Sequence, residues 1–76
     1  MIVPAYVVHA TEGCARLHHP AFGSESTVRT VVETLAHDKS VLGVRPGQQS
    51  ILLMLAPSAN LEAICQTLER ALPELG

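Results

Sequence analysis

The run "VVHATEGCARLHHP", residues 7–20, gathers a thiol, a guanidinium and three imidazoles in an otherwise aliphatic chain. The segment "AYVVHA" at 5–10 is β-branched and apolar. Past Gly13, Ala15 and Leu17 alternate with Cys14, Arg16 and His18 until Pro20 ends the pattern. Alternation with a period of two is the mark of a strand with one face buried. The run therefore reads as one long strand over residues 5–19. A β-bulge at Glu12-Gly13 would bend it, since glycine accepts the backbone angles a bulge requires.

Downstream, "FGSESTVRTVVETLAHDKS" places Val28, Val31, Val32, Leu35 and Ala36 at the spacing of an amphipathic helix. Ser24 or Ser26 can cap its start, and Glu25 suits the positive end of the helix dipole. In "VLGVRPGQQSILLMLAP", Pro46-Gly47 fits the centre of a type II turn between strands at 42–45 and 50–56. Finally "SANLEAICQTLERALPELG" puts Leu61, Ile64, Cys65, Leu68 and Leu72 on one stripe, behind a Ser58 or Asn60 cap and ahead of Pro73.

The predicted order is β-α-β-β-α. Two helices with one apolar stripe each most simply cover one face of an antiparallel sheet. The expectation is an α+β, ferredoxin-like two-layer sandwich, a split βαβ unit with its fourth strand missing or supplied by a partner. Without that strand the first one becomes an open edge, and open edges template pairing with other chains. A homodimer, or a recruited partner strand, along residues 5–19 is the expected consequence.

Composition bounds the rest. At 76 residues the chain is read as a single domain, 1–76, with room for one thin core. Hydrophobic residues are 47% and charged ones 16%, too apolar for disorder. Five Lys and Arg against seven Asp and Glu give a net charge of −2, with no run of one sign. Phe22 and Tyr6 are the only aromatic residues, so base stacking is hardly available and a nucleic-acid partner is not expected. The strongest apolar run, 51–56, is far short of the roughly 20 residues that span a bilayer. The start "MIVPAYVVHA" lacks a basic leader region, which predicts a cytoplasmic protein without a signal peptide. Two cysteines, Cys14 and Cys65, are too few for a disulfide scaffold and are read as free thiols.

With this element order and the phrases "VVHATEGCARLHHP", "VLGVRPGQQSILLMLAP" and "LEAICQTLERAL", the chain resembles the heavy-metal-associated domains. It is closest to the variant group lacking the usual thiol pair. Gly13, Ala15, Arg16, Leu17, His18 and Pro20 stand in that group's pattern of a glycine, basic residues alternating with apolar ones, and a proline. Standard members hold soft metals through two cysteines separated by two residues; no C-x-x-C occurs here. The resemblance implies an accessory role in metal homeostasis, beside or fused to a metal-transporting ATPase, which is also a candidate partner, and does not transfer the thiolate site.

Within one extended strand Cys14 and His18 have Cα atoms about 13 Å apart. With metal bonds of about 2.0 to 2.3 Å they cannot share an ion. His18 and adjacent His19 point to opposite faces. His9 could join Cys14 only through a tight bend at Gly13. A transition metal or haem bound by Cys14, His18 or His9 therefore calls for such a bend or for a site shared across a dimer. Two other readings stand beside it: Cys14, Arg16 and His18 as the decoration of a partner contact, and a structural assembly domain without ligand. Arg16 and Arg45 could share a sheet face as a small anion-contacting patch, a weak field against plain solvated arginines. Cys65 and Met54 read as core, and His37 as a cation suited to the end of the first helix. No grouping of nucleophile, base and orienting acid, no glycine-rich phosphate loop and no G-x-S-x-G elbow is present, so an enzyme is not expected.

Overall fold

A computed structural model describes residues 4–75; the parts of the leader and domain readings that rest on residues 1–3 and 76 lie outside them. The decisive feature is the turn at Glu12-Gly13. Val7–Thr11 forms β1 and Cys14–His18 forms β2, paired antiparallel with Thr11 opposite Cys14 and His9 opposite Arg16. Gly13 has φ +88°, the sign a type II turn demands at its third position. The expected single bent strand is thus corrected to a hairpin. A bulge would leave both halves with bare backbone on one side, whereas full reversal lets each satisfy the other. The irregularity in the pairing falls at Val8, between Val7 and His9, rather than at the glycine.

A short 3-10 helix, Pro20–Gly23, leads into α1, Glu25–Leu35. The strands β3, Val41–Gly47, and β4, Ser50–Leu55, follow, then α2, Leu61–Ala71. The fold is α+β: a four-stranded sheet in the order β1-β2-β4-β3, antiparallel at every step, with two helices. The place beside β2 that the sequence reading left vacant is therefore filled by the chain's own β1. Consequently Cys14–His18 is an interior strand, bonded to β1 on one side and β4 on the other. Backbone recruitment of a partner along that part of residues 5–19 is excluded. Among the described residues the outermost strands are β1 and β3.

The core lies between the helices and one face of the sheet. Ala15, Leu17, Ile51, Leu53, Val31 and Leu68 are fully buried there with Phe22, Leu35, Ile64 and Cys65. The stripe of α2 is the expected one. That of α1 is narrower, running through Thr27, Val31 and Leu35 and leaving Val32 41% exposed. Asn60 caps α2, its Oδ1 accepting from the Ala63 N–H at 3.2 Å. Ser24 occupies the cap position of α1, but its hydroxyl pairs with that of Ser26 at 3.0 Å.

Two local details adjust the expected hairpin. The turn sits at Gln48-Gln49, with Gln49 at φ +52°, instead of at Pro46-Gly47. Pro46 is accommodated inside β3 because an edge strand can leave one backbone position without a donor. At the other end, the Tyr6 hydroxyl donates to Glu69 Oε2 at 2.6 Å and ties the approach to β1 onto α2. Burial, and then this bond to a carboxylate, push the Tyr6 phenol far above its ordinary range. No helix among the described residues is long and apolar enough to cross a membrane.

Candidate functional site on the helix-free sheet face

Because Ala15 and Leu17 point into the core, Cys14, Arg16 and His18 must project from the opposite face of β2. The same parity applies to Leu52 and Met54 of β4, which alternate with buried Ile51, Leu53 and Leu55. Pairing register then places the residues in rows across the sheet. The central row is His9, Arg16, Leu52 and Arg45, one from each strand in sheet order. On one side lies the row Thr11, Cys14, Met54 and Gly43; on the other, His18, Ser50 and Gly47.

The structure thus brings Arg16 and Arg45 together, one on each side of half-buried Leu52. With strands spaced 4.7–4.9 Å, two strand steps separate their Cα atoms by about 10 Å. No carboxylate shares this face among the described residues. Glu12 is in the β1–β2 turn, and the other six acids lie on α1, α2 or the segments that follow them. One of these, Asp38, is held below the usual carboxylate range by the Ser40 hydroxyl and backbone N–H, which donate to its Oδ1 at 2.6 and 2.9 Å. The sheet face is basic and the helix layer acidic.

The metal candidates do not converge. Cys14 and His18 stand four residues apart along extended β2, as expected, too far for one ion. The turn at Gly13 does make His9 a diagonal neighbour of Cys14 on the same face, since Thr11 is opposite Cys14 and His9 opposite Arg16. That pair supplies two donors without a third. Met54, expected in the core, is half-buried on this outer face, and its methyl end lies where a Cβ on Gly43 would be, turned away from Cys14. His19 is used structurally: its Nδ1 accepts from the Ala21 N–H at 3.0 Å while its ring stands edge-on to Tyr6 and Phe22. Among the described residues no group of three or more His, Cys, Asp or Glu is placed to hold a metal, and no buried side-chain polar atom lacks a partner. Among the described residues the candidate ligands therefore amount to the pair His9 and Cys14, with His18 apart from them along β2.

Leu52 escaped the sequence reading because "SILLML" is one continuous apolar run; only the core alternation at 51, 53 and 55 separates its two faces. Cys65, read as core, is 1% exposed, and burial pushes its thiol up. Alkylation with iodoacetamide under native conditions is therefore expected to label Cys14 alone, with Cys65 modified only in denaturant. Mass spectrometry of the digested protein checks this, and equal labelling of both thiols would contradict the packing of α2.

No family model matches the chain, and neither a curated protein nor a solved structure matches it.

Proposed function

We propose that the domain is a non-enzymatic accessory docking module, a ferredoxin-like sandwich that presents its helix-free sheet face to a protein partner. The setting of metal homeostasis, with a metal-transporting ATPase as one candidate partner, follows from the resemblance to the heavy-metal-associated domains. Cys14, Arg16 and His18 form the contact together with His9 and Arg45. The observation that supports this reading is the spread of these groups: they stand in separate rows of a sheet face, as contact residues do, and converge on no common point. The docking mode is side chain against partner, because the backbone of β2 is already paired on both sides.

The competing reading is direct ligation of a transition metal or haem, and the diagonal pair His9 and Cys14 favours it. Titration with zinc, copper(I) and haem, followed by native mass spectrometry, separates the two. The docking reading expects no stoichiometric adduct; a one-to-one adduct lost in Cys14→Ser and in His9→Ala would replace it. Affinity capture tests docking itself. A bait carrying Arg16→Glu and Arg45→Glu is expected to lose a partner that wild type retains, whereas Arg29→Glu with Arg70→Glu on the helix layer keeps it.

A further inference from the structure

We infer that the occupant of the sheet face is an acidic protein segment in which two carboxylates flank one apolar side chain. This inference rests on the docking reading above and adds the chemistry of the partner. Arg16 and Arg45 flank Leu52 in a single row, with His9 continuing the row beyond Arg16. Leu52 is half-buried and both arginines are exposed; arginine stems can lie along apolar surface while their heads stay in water, so the row offers a narrow apolar seat between two cations. An extended segment with acids at positions i and i+4 and an aliphatic residue at i+2 presents all three on one side, its acids about 13 Å apart. Arginine side chains span the difference from their Cα separation of about 10 Å.

Charge distribution selects this occupant over the others. The chain has five Lys and Arg, of which two lie on this face, and none of its seven acids does. A second copy stacked face to face would bring arginines against arginines, which like-charge repulsion opposes. Single-stranded nucleic acid gains much of its hold from stacking on aromatic side chains, and the face carries none, since Tyr6 and Phe22 are both buried in the core.

The test uses an acetylated and amidated peptide with the core Glu-Ser-Leu-Ser-Glu, its Lys-Ser-Leu-Ser-Lys counterpart, and a deoxythymidine decamer, each titrated into the ¹⁵N-labelled protein and followed by amide shifts. The acidic peptide is expected to shift Arg16, Leu52 and Arg45 and to weaken with added salt. It should lose about tenfold in affinity in Arg16→Glu with Arg45→Glu, and nothing in Arg29→Glu with Arg70→Glu. The lysine peptide should not bind. Equal affinity for the double sheet-face variant overturns the inference, as does tighter binding of the oligonucleotide at the same salt. If the acidic peptide fails while the captured partner is still lost in the sheet-face variant, the chemistry inferred here is wrong and docking stands. If capture is indifferent to that variant, the docking reading falls as well.

Discussion

Phe22→Ala is expected to lower the unfolding free energy by about 3 to 5 kcal/mol, the range for emptying a buried phenylalanine site. Phe22 is the largest fully buried side chain, 1% exposed, in the 3-10 helix that joins β2 to α1. Its ring meets His19 edge-on at a centroid distance of 6.0 Å. A chain of this length has a total stability on the order of 4 to 11 kcal/mol, so the variant stands at the margin of folding. Urea denaturation followed by circular dichroism measures the loss, and in a thermal melt a Tm drop of well over about 10 °C should accompany it. A loss below about 1 kcal/mol would mean that the joint between β2 and α1 is loosely packed.

The second large effect is at Gly13. Its φ of +88° lies where side chains with a Cβ are strained, by roughly 1 to 2 kcal/mol for an ordinary residue and more for a β-branched one. Gly13→Val should therefore cost about 2 kcal/mol or more, while Gly13→Asn, whose side chain tolerates the left-handed region, should cost markedly less. The two variants separate backbone strain from volume, because the nearest atom to a Cβ built at Gly13 is the Leu55 carbonyl oxygen at a comfortable 3.8 Å. A specific consequence accompanies the lost stability. If the reversal fails, β1 leaves β2, and Cys14–His18 becomes the bare edge that the hairpin normally covers. Light scattering after size exclusion should then detect more self-association in Gly13→Val than in wild type. Equal stabilities of the valine and asparagine variants would remove the strain argument.

The helices were legible because their signals are local. Leu61, Ile64, Cys65, Leu68 and Leu72 form a stripe by spacing alone, and Asn60 sits where a cap belongs. For α1 the same rule overestimated the stripe: Val32 and Ala36 fit the period, but Thr27, Val31 and Leu35 make the buried line. Strand continuity was the harder matter. Both a bulge and a reversal use glycine at Gly13, and the choice between them depends on whether β1 finds a neighbour, which is long-range information. Pro46 misplaced the second turn for a related reason, since its tolerance inside β3 depends on that strand lying at the edge. For the candidate site, the parity of Cys14, Arg16 and His18 followed from alternation, but the row that joins Arg16 to Arg45 through Leu52 exists only through the register of three strands.

The contact between Tyr6 and Glu69 also has a bearing on how the polypeptide could be rewired. Pro4 and Leu75 line the same shallow depression with these two residues, so a short peptide could bridge Pro4 and Leu75 there in an engineered ring of residues 4–75. Opening such a ring at Glu12-Gly13 would move β1 to the last position and yield the connectivity β-α-β-β-α-β with every strand pairing kept. A circular permutant of this kind needs no new core and no change of register, only a different place to start.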